Sequence, residues 1–385
     1  MTARGRLDRH VDSTNRKVKG AGERIRPDAG AGAGFDHASR QCEEPPPQTI
    51  RGAMSAMVEV LGLGNSLVDL LAYADDDYLS AQEMLKGAMN LIDEDRAEAL
   101  YAARVDPRVI SGGSAANTIV GVASFGVSAS YIGKVKQDPL GAAFTDDIRS
   151  TGVAFSTSPA EQGPSTGRCF IYVTPDGERT MNTYLGASSY LAPVDVDAAL
   201  VKSAKVVYLE GYMWDRPDAK AAFQKAGEIA RAAKRRVALT LSDSFCVDRF
   251  RGEFIELMRS RTVDTIFANT DEVLSLYQTP AFHEALDSLR AEGVLGIVTR
   301  SEKGCIIVDR DQTWEVPAFP IAKLVDTTGA GDMFAAGFLA GLARDQDMVT
   351  CGRLGVLAAA EIIQHIGARP NVALAGLAKE NGVAF

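Results

Sequence analysis

The stretch Asp326-Thr327-Thr328-Gly329-Ala330-Gly331-Asp332-Met333-Phe334 decides how the chain is read. Behind it, Ala335 to Leu342 is small and apolar, the composition of a buried helix. Two glycines two residues apart leave backbone N–H groups unobstructed where that helix begins. The first amides of a helix have no internal partner, and the helix dipole turns its positive end toward them. Gly329, Ala330 and Gly331 are therefore expected to hold an anion. Asp332 is a carboxylate placed where a phosphate would be drawn in. It is expected to take a proton from a hydroxyl that attacks the phosphorus. The plainer alternative is a first-turn carboxylate favoured by the dipole alone.

Composition narrows the classes. At 385 residues, 46% hydrophobic and 24% charged, the chain has the make-up of a globular protein. That length suits one large domain with an attachment, or two domains. A net charge of −9 argues against bulk nucleic-acid binding. No apolar run reaches membrane-spanning length, so no membrane partner is expected. Five scattered cysteines without CxxC spacing point to a reducing compartment and to neither a disulfide framework nor a zinc site. Two of the four histidines, His10 and His37, lie near the N-terminus, which leaves little material for a histidine metal site.

Residues 1–56 are rich in Arg, Asp, Gly and Ser and include Gly30-Ala31-Gly32-Ala33-Gly34 and Pro45-Pro46-Pro47. Such a segment offers too little apolar surface to offset the entropy of ordering, so a disordered extension is expected, with Met54 or Met57 as a plausible start. The folded domain is expected over 57–385. It opens with a strand at Val58 to Leu63 that runs into Gly64-Asn65, followed by a second strand at Ser66 to Leu70. Gly62-Leu63-Gly64 lacks the third glycine of a dinucleotide fingerprint, which sets aside an oxidoreductase built on it. Residues 75–104 show helical spacing. Gly112-Gly113 leads into a helix from Ala115 to Phe125, with Asn117 one turn in. A strand over 127–135 and a helix over 139–150 follow. Arg168 to Tyr184 carries a hairpin pattern with Asp176-Gly177 at its turn. From residue 201, strands at 205–209, 236–241, 263–268, 294–299 and 305–309 alternate with helices at 217–234, 248–260, 270–277, 280–292, 330–342 and 349–365. Alternation of this kind predicts a doubly wound, mainly parallel α/β sheet with helices on both faces, and a small β lid from segments around 67–74, 106–112 and 166–186. Ligands then bind beyond the carboxyl ends of the strands.

Several stretches, in order, resemble one family. Gly112-Gly113-Ser114-Ala115-Ala116-Asn117 is similar to the first glycine-rich signature of the ribokinase-like (PfkB) sugar and nucleoside kinases. Asn269-Thr270-Asp271-Glu272 resembles their N-x-x-E motif, and DTTGAGD at 326–332 their second signature. Within that family, Leu61 to Asp69, Thr166 to Cys169, Leu241 to Phe245 and Ala359 to Gly367 look most like the adenosine kinases. The resemblance implies an ATP-dependent kinase acting with Mg²⁺ in the cytoplasm, as a monomer or homodimer. The implied acceptor is a small-molecule nucleoside, with adenosine first, or alternatively a free sugar such as ribose. It implies Asp332 as general base and Gly329, Ala330 and Gly331 as an anion hole. Asn65, Asp69, Gly113 and Asn117 would hold the acceptor. Asn269, Thr299, Ser301 and Gly304 would meet the nucleotide, and Glu272 would reach the metal through water. Phe170 and Tyr172 either meet a flat base or fill the core of the lid. One departure stands out: Thr299-Arg300-Ser301-Glu302-Lys303-Gly304 has Ser301 where the family often has glycine. The chain has no GxxxxGK[ST] either, so phosphate binding of the P-loop type is not expected. A catalytically silent ligand sensor is disfavoured by the intact Asp332.

Overall fold

The computed structural model describes residues 57–103, 107–383 and 385. The expectation of disorder for residues 1–56 lies outside them. Fourteen strands and twelve helices occur among the described residues. The strands are β1 (Val60–Leu63), β2 (Leu67–Tyr73), β3 (Met89–Leu91), β4 (Arg108–Gly112), β5 (Ala129–Ile132), β6 (Ala154–Phe155), β7 (Gly167–Val173), β8 (Arg179–Tyr184), β9 (Val206–Glu210), β10 (Arg236–Thr240), β11 (Thr265–Asn269), β12 (Leu295–Thr299), β13 (Cys305–Asp309) and β14 (Gln312–Val316). The helices are α1 (Asp76–Ala81), α2 (Glu94–Ala103), α3 (Ser114–Ser124), α4 (Pro139–Ser150), α5 (Ala198–Ser203), α6 (Pro217–Ala232), α7 (Ser244–Arg259), α8 (Thr270–Tyr277), α9 (Phe282–Ala291), α10 (Ala330–Ala343), α11 (Met348–Ile362) and α12 (Leu374–Glu380).

Nine strands form one sheet in the order β14-β13-β12-β11-β10-β9-β1-β5-β6. From β12 to β6 every pairing is parallel. Strands such as β9, Val-Val-Tyr-Leu-Glu, are buried along their whole length, as a sheet covered on both faces requires. The regular alternation after residue 201 breaks at one edge. There β13 and β14 pair antiparallel, because the short connection between them closes a hairpin and has no room for a crossover helix. The strand β14 is absent from the sequence-based pattern, since its side chains are mostly exposed and show no apolar alternation.

A second sheet of five strands has the order β3-β8-β7-β2-β4. Its edge strand β3 lies within the segment whose spacing suggests helix, and three residues carry too little periodicity to reveal it. Register decides what each face of this sheet does. Leu70 pairs with Phe170, and Phe170 with Asn182. Val68, Leu70, Phe170 and Tyr172 form one apolar core with Leu79 of α1 and Ala97 and Leu100 of α2. Phe170 and Tyr172 thus fill the core of the small sheet under these helices. The opposite face carries a row in which Asp69 aligns with Ile110 and Cys169, Cys169 with Thr183, and Thr183 with Leu91. Because strand side chains alternate, Leu71, Ile171 and Met181 share this second face. So does Arg179, whose guanidinium pairs with Asp326 in the loop before α10. The Asp69 face is therefore turned toward that loop.

Candidate active site

The helix α10 starts where the sequence places it. Gly329 is its N-cap in the left-handed region, φ +78°, a conformation natural to glycine. The first i→i−4 bond is Met333 N–H to Gly329 O at 2.8 Å, so the amides of Gly331 and Asp332 precede it. A β-carbon at Gly331 would meet nothing within 4 Å, so this side of the first turn is open. The turn that precedes the helix is pinned by Asp326. One carboxylate oxygen accepts the Thr328 N–H at 3.0 Å, and the other accepts the Gly367 N–H at 3.0 Å as well as the Arg179 ion pair. The segment Ile321 to Val325 runs into this turn as coil.

Asp332 is held from the side of α3. The Ser114 hydroxyl donates to Oδ1 at 2.7 Å, and the Asn117 amide donates to Oδ2 at 3.3 Å. Burial pushes the Asp332 carboxyl up to about 6, while these two bonds and the charge of Arg369 pull it back. Asn117 Oδ1 is buried without a partner, so this amide has accepting capacity to spare. Asp69 is raised to about 6 as well, through burial, with Arg369 and Arg179 opposing and Asp332 adding repulsion. The backbone beneath it must be bare, because a β-carbon on Gly112 would lie 2.4 Å from the Asp69 carboxylate. Gly113 follows at φ +103°, where a β-carbon would sit 2.2 Å from Asn65 O. These two glycines let the end of β4 pass under Asp69 and turn into α3.

On its other side, Asp332 borders a cavity of about 880 Å³. Gly329, Ala330 and Gly331 line it on one wall, and Asn269, Glu272, Thr299, Ser301 and Gly304 on another. Asn269 and Thr299 are register partners at the carboxyl ends of β11 and β12. Asn269 and Glu272 form a capping box at the start of α8. Glu272 Oε2 accepts the Asn269 N–H at 3.0 Å, Oε1 accepts the Asn269 side-chain amide at 2.6 Å, and Asn269 Oδ1 accepts the Glu272 N–H at 2.9 Å. Burial raises the Glu272 carboxyl to about 7. Among the described residues no three His, Cys, Asp or Glu side chains gather in a way that would cage a metal.

A helix-start anion site, a held carboxylate beside it and a large cavity at the strand ends are together the layout of a phosphotransferase. The chain matches the profile of the pfkB family carbohydrate kinases over residues 90–373. It belongs to that family. Among solved structures it is 50% identical to an adenosine kinase from Sinorhizobium meliloti, with 85% of this chain and 100% of that one covered and a TM-score of 0.79. It is 49% identical to a probable sugar kinase from Rhizobium etli CFN 42, with coverage of 85% and 99% and a TM-score of 0.80. Among curated proteins it is 28% identical to the adenosine kinase of Saccharomyces cerevisiae, over 79% of this chain and 94% of the relative.

Within this pfkB kinase the residues singled out from sequence fall into two groups that meet at Asp332. Asn269, Glu272, Thr299, Ser301, Gly304 and the Gly-Ala-Gly turn share the cavity. Asp69, Gly113 and Asn117 lie on the side of the small sheet. Asn65 differs from them: its amide donates to Glu210 Oε1 at 2.7 Å and accepts from the Ser188 hydroxyl at 2.9 Å, so both of its ends are engaged. Ser301 takes a left-handed φ of +49°, the conformation for which a glycine is better suited.

Glu210 is one member that the sequence reading misses. It ends β9, fully buried, and accepts the Asn65 amide, the Asn65 N–H at 3.3 Å and the Ala115 N–H at 2.9 Å. It thereby fixes the loop after β1 to the first turn of α3, which presents Ser114 and Asn117 to Asp332. Burial lifts its carboxyl to about 7. A lone glutamate at the end of an apolar strand gives no signal in sequence, yet it is among the few charged groups buried this deeply.

Proposed function

We propose that the chain is an ATP-dependent phosphotransferase that phosphorylates the 5′-hydroxyl of a ribonucleoside, with adenosine as the acceptor. The observation that carries this reading is the position of Asp332. It stands between the cavity at the strand ends and the Asp69 face of the small sheet, with its two oxygens held by Ser114 and Asn117. The nucleotide enters the cavity, the acceptor lies against the small sheet, and Asp332 takes the proton from the attacking hydroxyl. Charge that develops on the transferring group is met by the amides around Gly329, Ala330 and Gly331, preorganised by the turn that Asp326 pins. Asp69 accepts from paired ribose hydroxyls, and the free Asn117 Oδ1 is available to another donor on the acceptor. Adenosine is favoured over a free sugar by the resemblance of residues 61–69 and 359–367 and by the relatives named adenosine kinase.

Mg²⁺ fits this donor set through water. Glu272 presents a carboxylate held by two N–H groups at the cavity wall, and Mg²⁺ favours few protein carboxylates together with phosphate oxygens and water. Bound there, the ion would neutralise phosphate charge. Thr299, Ser301 and Gly304 would border the nucleotide. The five-stranded sheet would act as a lid over the acceptor, hinged near Gly112-Gly113, and exclude water from the transfer. The enzyme would work in the cytoplasm as a monomer or homodimer; among the described residues no helix is long and apolar enough to cross a membrane.

The test is a substrate panel with ATP and Mg²⁺. Adenosine should show a kcat/KM about tenfold or more above ribose, equivalent to at least about 1.4 kcal/mol of discrimination. Equal or better turnover of ribose would replace this reading with a sugar kinase.

A further inference from the structure

Three consecutive residues after α11 touch both halves of the site. The Gly367 N–H donates to Asp326 Oδ2 at 3.0 Å. Ala368 packs so closely on the phosphate turn that a β-carbon on Gly329 would stand 3.0 Å from its Cα. Arg369 reaches the other way, to the end of β4, where its Nη2 donates to the Ser111 carbonyl and to the Ser111 hydroxyl at 2.8 Å. Ser111 is in turn anchored to α4, with its N–H donating to Asp147 Oδ2 at 2.9 Å and its hydroxyl to the same oxygen. The next two residues are Gly112, directly beneath Asp69, and Gly113, which turns into α3. The phosphate turn, the floor under Asp69 and the helix that holds Asp332 are thus joined through residues 367–369, and the Arg369 side chain makes the link to β4.

That side chain is not used up by these contacts. Arg369 Nε and Nη1 are buried with no hydrogen-bond partner, although a guanidinium has five donors in a fixed fork. Burial lowers the affinity of Arg369 for its proton, and the charges of Asp147, Asp69 and Asp332 restore it, in that order. Arginine stays ionised in such surroundings, so its charge acts on the carboxylates around it.

We propose that Arg369 is a positioning residue for phosphoryl transfer: it ties the end of β4 to the phosphate turn and lends its charge to Asp69 and Asp332, the two carboxylates that flank the acceptor. The inference rests on the kinase reading of this site. Other ionisable groups face the same space and are unchanged by the substitution below. They are Arg179 on β8, Asp147 on α4, Tyr131 on β5, Tyr208 and Glu210 on β9, and Tyr212 just beyond it. With Arg369 removed, the lowering influence on Asp69 and Asp332 is lost and both carboxyls hold their protons to higher pH.

The experiment compares the full chain with Arg369→Gln and Arg369→Lys. Arg369→Gln should lower kcat/KM at neutral pH by about tenfold or more, the penalty expected when reacting groups lose their alignment. It should also move the acid limb of the kcat/KM profile upward by about half a pH unit or more. Arg369→Lys should return the limb toward its original place, since the charge is kept, while kcat/KM stays depressed because the fork to Ser111 is gone. An acid limb that stays in place in Arg369→Gln would reduce the residue to ordinary packing and overturn the proposal. Hydrogen exchange without substrates gives a readout that needs no turnover. Amides of residues 108–117 and 327–333 should exchange faster together in Arg369→Gln, and a change confined to residues 363–373 would overturn the coupling. If the unaltered chain turns over neither adenosine nor ribose, the kinase reading falls, and the exchange experiment still decides whether Arg369 joins the two segments. Should Arg369→Gln fail to fold, Arg369→Lys decides: wild-type kcat/KM in that variant would overturn the role of the fork.

Discussion

The two sides of Asp332 are held by different means. On the cavity side the groups come from consecutive residues: a glycine turn into α10, and a capping box in which Asn269 and Glu272 satisfy each other across three positions. Bonds between near neighbours shape both, such as Thr328 N–H to Asp326 Oδ1 and Glu272 N–H to Asn269 Oδ1. On the side of the small sheet, where the acceptor is proposed to lie, the groups come from far apart in the chain. Ser114 and Asp332 are separated by 218 positions, Asn65 and Glu210 by 145, and Asp69 depends on the register of four neighbouring strands. A locally built site tolerates changes of side chain as long as its turns survive. A site assembled from distant side chains has no such reserve, so substitutions on the acceptor side should cost more.

The largest effect is expected where the two sides meet. Asp332→Asn should lower kcat by about 10²-fold or more, the range for a lost general base, with a much smaller change in the KM for adenosine. The same residue sets a pH dependence. Its carboxyl is raised to about 6, and the base works only when ionised. Activity should therefore be full above that value and fall as pH drops through it. Near-normal turnover in Asp332→Asn, or a flat profile down to pH 5, would remove the residue from its role and dissolve the division drawn here.

Next in size is Asp69. A carboxylate placed for two hydroxyls is left unpaired when one is missing, at a cost of about 1–3 kcal/mol. The unaltered enzyme should discriminate against 2′-deoxyadenosine by a corresponding factor of roughly ten to a hundred. Asp69→Asn should slow adenosine and narrow the gap between the two substrates. An unchanged preference would place the ribose elsewhere, and the acceptor side would lose its main side chain.

These two expectations rest on parts of the molecule that sequence exposes unequally. The turn into α10 was legible because a helix start, two glycines and a carboxylate are a local arrangement, and nine consecutive residues carry it. The parallel core from β9 to β12 was legible for a similar reason, since strand and helix periods alternate regularly there. The exposed hairpin strand β14 and the three-residue β3 were not, because neither carries an apolar period. Glu210 and Arg369 were invisible for a different reason: each finds its hydrogen-bond partners more than ninety positions away in the chain, and nothing beside them in sequence marks the contact. The face of the lid was undecidable as well. Phe170 and Tyr172 sit one residue from Cys169 and Ile171, and only pairing with β2 and β8 shows which set turns toward the site.

That face makes a third test, of intermediate size. Phe170→Ala should act through the fold, with a loss of about 3–5 kcal/mol in stability for a buried aromatic and no selective change between adenosine and ribose. Met181→Ala, on the face shared with Asp69, should raise the KM for adenosine by several-fold and leave ribose nearly unaffected, because only the nucleoside has a base to lay against it. The measurement is a thermal melt beside two KM values for each variant. A selective nucleoside defect in Phe170→Ala would mean that the faces are exchanged when the acceptor binds.

The smallest effect is expected on the cavity side, at the one position that departs from the family pattern. Ser301 lines the cavity with a φ of +49°, where a β-carbon is crowded and the cost for an ordinary residue is about 1–2 kcal/mol. The turn around it is closed by backbone bonds. The Arg300 N–H donates to Gly304 O at 2.7 Å, Lys303 N–H to Arg300 O at 3.0 Å, and Gly304 N–H to Ser301 O at 3.0 Å. Gly304 must remain glycine, since a β-carbon there would meet Val316 O at 2.0 Å. The backbone at this wall of the cavity is therefore set by these bonds and not by the serine hydroxyl. Ser301→Gly relieves the crowded φ but gives the unfolded chain more freedom, so the two contributions oppose each other and the net gain in stability should be within about 1 kcal/mol. The KM for ATP should change by less than about threefold, as for a surface substitution that leaves its turn intact. A change of about tenfold or more would be the energy of a direct hydrogen bond to the nucleotide. The cavity side would then depend on a side chain in the way the acceptor side does, and the contrast between the two would no longer hold.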